Sequence, residues 1–333
     1  MRIVGIAFVA SASAALSAQD WQFTDPTNFG YLVADVAGGG LLHYGNRGNG
    51  VECYAWGGTR WTSVQQQGQP LPRNAGAMAC DMFGGRCLAL AVTGFSSPMR
   101  TFVGSFADWR EVIAGDAPSS RVAAAMTYDT GRGRFVLFGG EPPGYPPQAP
   151  LGDTWEFDGS KWTQRQFAIA PPARTSSALV YDLARGRCVL FGGGSTSQMY
   201  QPDPNTQRND TWEYDGVAWR QINTPVSPPP SWPLMTYDIL RGRTVMHRCQ
   251  DAPTTGQADT WEYNGTTWRP VFTAQSPTDR LWGSMQYDIA RNRTVLYGGY
   301  EIRSNHWPHR SDVWEYDGTN WQRVRDSIPS AIS

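Results

Sequence analysis

Apolar positions along this chain fall into short alternating or β-branched runs, and turn residues close nearly every run. In one sample stretch, "SALVYD" from Ser177 is followed by "LARG" and then by "RCVLFGG" ending at Gly193. A polar loop from Gly194 to Asn209 follows, then "DTWEYD" and "AWRQI". Period-2 runs bounded by Gly, Asp and Asn predict four short strands joined by turns. No longer stretch carries the period of an amphipathic helix.

The same sequence of elements recurs. "AMTYDTGRGRFVLFGG" from Ala125, "ALVYDLARGRCVLFGG" from Ala178, "LMTYDILRGRTVMHRC" from Leu234 and "SMQYDIARNRTVLYGG" from Ser284 align on one Asp, and two looser copies begin at Tyr31 and Ala77. The anchors are Asp35, Asp81, Asp129, Asp182, Asp238 and Asp288, spaced 46, 48, 53, 56 and 50 residues apart. Each unit ends with an aromatic seven residues before a Trp, from Tyr54/Trp61 to Trp314/Trp321. The phrase "DTWEYDG" at Asp210 has near-copies at Asp153, Asp259 and Asp312. Alternation places Trp212 and Tyr214 on one strand face and Glu213 on the other. Asp215-Gly216 supplies the positive φ of a tight hairpin. A large aromatic face on every copy predicts that each sheet packs against its neighbour's copy of that face.

A period of about 50 residues with "VLFGG", a later aromatic and then Trp resembles the kelch repeat. The matched pieces are Gly139-Gly140, Gly192-Gly193 and Gly298-Gly299 with the Trp pairs, over roughly Tyr31 to Val324. Gly45-Asn46, Ala91-Val92 and Arg248-Cys249 replace the Gly pair in the first, second and fifth units. The resemblance implies an all-β fold, a six-bladed β-propeller of four-stranded antiparallel blades, with the first strand of each unit innermost. Radial repetition of this kind leaves only short, protected sheet edges. Each unit runs from inner to outer strand, so closure needs no strand exchanged between the termini.

Composition adds boundaries. Hydrophobic residues make up 40 % of the 333 and charged residues 17 %, a globular profile. A net charge of -1 provides no basic field for nucleic acid. Residues 1–18, "MRIVGIAFVASASAALSA", have one Arg, an apolar run and small residues, the pattern of a cleaved export signal. The expected organisation is a signal peptide at 1–18, an N-terminal segment or extra edge strand at 19–30, the propeller at 31–325 and a tail at 326–333. The mature product is then a monomer in the periplasm or outside the cell, without membrane insertion.

Candidate chemistry gathers at the loops. Eight residues before the anchor Asp stand Arg73, Arg121, Arg174 and Arg280. In kelch-like propellers such loops help form the ligand mouth, so these arginines form a candidate anion-binding rim, since guanidinium suits carboxylate or sulfate. The alternative is that they pair with Glu156, Glu213, Glu262 or Glu315. At the other end of each unit, "D-x-x-R-x-R" is a structural turn. Cys80 and Cys87 lie opposite each other in one hairpin and are predicted to form a disulfide, the alternative being a pair of small buried residues. His306 and His309 lack an evident third metal ligand, and no metal or other cofactor is expected. His247 and Cys249 mark the most irregular unit.

The resemblance leaves two functions open. One is a protein- or glycan-binding module working through loops 141–153, 194–210, 250–259 and 300–312. The other is a carbohydrate-active enzyme, an epimerase or mutarotase on an acidic sugar, similar in size and exported character to bacterial N-acetylneuraminate epimerase. Glu141, Glu301 and His247 are its possible bases. Galactose oxidase also has a kelch-type propeller, but its Tyr-Cys copper site finds no comparable residues here.

Overall fold

In the computed structural model, residues 30–35, 40–47, 50–65, 75–81, 83–92, 97–105, 108–144, 148–195, 206–249, 259–301 and 310–325 are described. The expected export signal, the tail, Arg73 and the His306/His309 pair lie outside them. The described chain forms six four-stranded antiparallel sheets, each following chain order, and a two-stranded pair of Arg280–Leu281 with Tyr300–Glu301 beside the last. Blade 1 comprises Gly30–Asp35, Gly40–Arg47, Gly50–Trp56 and Trp61–Val64, and blade 2 Ala75–Cys80, Cys87–Ala91, Arg100–Gly104 and Trp109–Val112. Blade 3 is Ala125–Asp129, Arg134–Phe138, Thr154–Phe157 and Trp162–Arg165, and blade 4 is Ala178–Asp182, Arg187–Phe191, Thr211–Tyr214 and Trp219–Ile222. Blade 5 is Trp232–Asp238, Arg243–Cys249, Thr260–Tyr263 and Trp268–Val271, and blade 6 is Ser284–Asp288, Arg293–Tyr297, Val313–Tyr316 and Trp321–Arg325.

The first strands stand side by side around the axis, blade 1 against blade 6 as well as against blade 2. They are buried on both faces, which is why they read as near-continuous apolar runs. Each fourth strand buries its leading Trp and turns the next residues outward. The ring closes by packing: Tyr297 of blade 6 meets Trp61 of blade 1 with ring centroids 5.1 Å apart, and no strand crosses between these blades.

The Gly pair has a mechanical role. In blades 3, 4 and 6 both glycines have positive φ, between 65° and 95°. The residues opposite, Ala123, Ser176 and Trp282, take left-handed conformations at φ 52–56°. The ladder breaks at this point and resumes one step on, with Val122 opposite Glu141, Thr175 opposite Gly194 and Leu281 opposite Tyr300. A side chain on Gly139 would put its Cβ 2.5 Å from the Arg174 carbonyl of the next blade, so glycine is what admits that neighbour. In blade 5 Arg248 and Cys249 lack that freedom, and the ladder runs unbroken from Trp232/Cys249 to Asp238/Arg243.

Blade 2 replaces the packed rings of Tyr128 and Phe135 with Cys80 and Cys87, which are paired in register and joined by a disulfide. Cys53 and Cys188 are buried thiols.

The repeated aromatic face does not meet its own copy, which corrects the expectation of like-against-like packing. Blades stack head to tail. Tyr214 of blade 4 donates to Glu156 of blade 3 at 2.8 Å and lies under Arg132 of that blade, 5.2 Å from ring centroid to guanidinium carbon. On the other strand face, Thr211 accepts from Trp268 Nε1 of blade 5 at 2.9 Å, and Glu213 accepts from Tyr263 at 2.8 Å. Alternation thus sends Tyr backward and Thr and Glu forward, so one short phrase carries both halves of an interface.

Candidate functional site

The expected arginine rim is built differently from its sequence reading. Arg121, Arg174 and Arg280 are at most 1 % exposed. Each clamps the Asp that opens its own blade's third strand. Arg121 Nη1 and Nη2 reach Asp153 at 2.6 and 3.0 Å, Arg174 reaches Asp210 at 2.6 and 2.8 Å, and Arg280 reaches Asp312 at 2.7 and 3.3 Å. Nη1 also donates to the first carbonyl of the Gly pair, that of Gly139, Gly192 or Gly298, at 3.0–3.2 Å. Nε donates to the carbonyl two residues earlier, at Ser119, Pro172 or Thr278. Trp155, Trp212 and Trp314 donate to the same carboxylates.

These guanidinium groups are therefore spent inside the blade. They do not line a mouth, because they are buried and an incoming anion would have to displace a bidentate carboxylate. Nor are Glu156, Glu213, Glu262 and Glu315 their partners; those four accept from Arg132, Arg185, Arg241 and Arg291 of the D-x-x-R turns at the opposite end. In those turns Asp129, Asp182, Asp238 and Asp288 also accept from the backbone N–H three residues on, at 3.0 Å.

Blade 5 has Pro230 where the clamping Arg belongs. Its replacement comes from the other strand: Arg248, 2 % exposed, stands at the first Gly position and reaches Asp259 at 3.6 Å. The weaker clasp changes the carboxyl. At Asp153, Asp210 and Asp312 burial opposes the charge, but the Arg and Trp donors outweigh it and hold the carboxyl below its ordinary range. At Asp259 burial wins over Arg248 and the carboxyl is pushed up.

The candidate bases separate into two settings. Glu141 and Glu301 are buried, 2 % and 6 % exposed, on the chain just past the Gly pair, at the end of the ring that carries the long loops. Glu301 is ion-paired with Arg310. His247 is sealed between blades 5 and 6, with its ring 6.1 Å from that of Trp321. It occupies the position of Phe138 and Phe191, which pack on Trp219 and Trp268 of their next blades. Burial first, and then the charges of Arg280 and Arg248, push its pKa down to about 3.

Sequence reasoning missed the clasp Asp residues and Arg248. The one available signal was the loss of Arg at Pro230 together with an Arg gained in place of glycine.

No family model and no curated protein matches the chain. Among solved structures, that of YjhT is similar with a TM-score of 0.58 and 12 % identity, covering 90 % of this chain and 98 % of that one. A fungal alcohol oxidase of the AA5 family, in complex with copper, has a TM-score of 0.49 and 11 % identity over 89 % of this chain and 66 % of its own. The likeness to YjhT is one of fold. The chain is a six-bladed β-propeller.

Proposed function

We propose that this propeller is of kelch type and serves as a binding module for a protein or glycan, held at the end of the ring that carries the loops between second and third strands. One observation supports it above others. The repeated polar side chains are committed to holding blades together, whereas the residues after the Gly position differ from blade to blade: Glu141, Gly194 and the Tyr300-Glu301 pair with Arg310. A scaffold of uniform blades with non-uniform loops at one end is the usual arrangement for recognition. Three Gly pairs, together with Trp at the head of each fourth strand, support the kelch assignment.

The buried carboxyls of Glu141 and Glu301 favour one second reading, an epimerase or mutarotase acting on an acidic sugar, with a carboxyl as general acid or base. His247 does not serve it, since no substrate reaches a ring enclosed between two blades.

A glycan array combined with NMR measurement of anomer exchange distinguishes the two. Binding of a glycan without faster exchange is the expected result. Accelerated exchange that is lost in Glu301→Gln or Glu141→Gln would replace the first reading by the second. Neither binding nor exchange across neutral and acidic sugars removes the glycan part of both readings.

A further inference from the structure

Blade 6 differs from the others in what flanks it. On its blade 5 side, His247 packs against Trp321, and neither imidazole nitrogen makes a hydrogen bond of good geometry. On its blade 1 side, His43 packs edge-on against Tyr297 of blade 6, centroids 4.8 Å apart, and against Trp61 at 5.8 Å. His43 is 1 % exposed, and its Nδ1 is also unsatisfied. The equivalent positions elsewhere carry no imidazole: Phe138, Phe191 and Tyr297 stand for His247, and Leu137, Leu190 and Leu296 for His43. The blade 6 to blade 1 junction has a further weakness. Trp61 Nε1 has no acceptor, because Val313 stands where Thr154, Thr211 and Thr260 accept from the Trp of their next blade.

We infer that blade 6 is an acid-released wedge: two buried neutral imidazoles, His247 on one flank and His43 on the other, free it from its neighbours when they take up protons. A charged imidazole in either place has no counter-ion. The groups acting on His247 are Arg280 of the loop into blade 6 and Arg248 of its own strand, both cationic, with the Thr278 backbone as a minor favourable contact. The Asp259 carboxylate lies 3.6 Å from the Arg248 guanidinium and is itself pushed up, so acid also weakens that ion pair. Against His43 stand Trp61 and Tyr297, with Tyr54 opposite it in the sheet, and burial is what disfavours its charge. Among the described residues, no carboxylate acts directly on either ring.

The sign follows from linkage. Both histidines are held down to about 3 in the folded chain, whereas in the unfolded chain they protonate at about 6.5. The unfolded state therefore binds more protons across that window. Stability is fully present above the unfolded value and falls as pH drops toward the folded one.

The test is a urea titration of the full chain at steps from pH 6.5 to 5, above most of the carboxylate range. Each histidine should raise the unfolding constant up to about tenfold per pH unit. His247→Phe and His43→Leu, which install the side chains of the other blades, should each remove about one proton from the slope. Hydrogen exchange at pH 5 should show protection lost first in Val313–Tyr316 and Trp321–Arg325. A wild-type slope no steeper than that of the double variant overturns the inference. So does exchange that rises equally in all blades, and the wild-type measurements keep the inference testable if a variant fails to fold.

Discussion

The junction of blades 4 and 5 and the junction of blades 6 and 1 use the same plan with different completeness. At the first, Trp268 donates to Thr211, Tyr263 donates to Glu213, Arg185 covers the Tyr263 ring at 5.3 Å, and Phe191 packs on Trp268 at 5.0 Å. At the second, Trp56 takes the part of the tyrosine. Its Nε1 donates to Glu315 at 3.1 Å and Arg291 covers its ring at 5.7 Å. Tyr297 still packs on Trp61, but the indole N–H of Trp61 finds no hydroxyl. Blade 1 against blade 2 shows the same omission, with Cys53 in the Thr position and Trp109 Nε1 unpartnered. The junction of blades 6 and 1 thus keeps shape and charge but not the neutral hydrogen bond, whereas blades 1 and 2 themselves carry Ala55 and Val103 in the glutamate position. The reason is energetic: a severed charge pair leaves an ion without its partner, whereas one lost indole bond costs much less.

The comparison can be broken first at its charged members. Glu213→Ala removes the acceptor of both Arg185 and Tyr263, and Glu315→Ala that of both Arg291 and Trp56. Each should cost about 3 kcal/mol, read by chemical denaturation, and the two losses should be similar. A loss at Glu213 alone would mean that the closing junction does not hold the ring. Next in size, Thr211→Val leaves Trp268 Nε1 buried and unpaired and should cost about 1–3 kcal/mol. The smallest effect sharpens the contrast from the other side. Val313→Thr offers Trp61 its missing acceptor and should gain about 0.5–1.5 kcal/mol; no gain would show that the indole is already satisfied by water.

Much of the fold was legible because a propeller writes its plan locally. The anchor Asp, the Gly pair and the Asp-Gly hairpin act within a few residues of themselves, so period and turn chemistry revealed six units and their strand order. The clasps were less legible. Arg174 and Asp210 lie 36 residues apart, across a loop that differs in every unit, and nothing nearby favours that Asp over Glu213. His247 looked like a candidate base because a histidine in place of an aromatic is conspicuous in a repeat. Only its position between two blades makes it an interface residue.

By itself the sequence determined the number of wedges, the inner-to-outer order of strands and the turns, all of which rest on short-range conformational preference and period-2 alternation. The tertiary structure decided which charge meets which. A strand shows that Glu213 points away from Tyr214, but only the packed ring determines that one faces the blade ahead and the other the blade behind. Partner choice depends on distances between segments that the chain brings together only when the circle is complete.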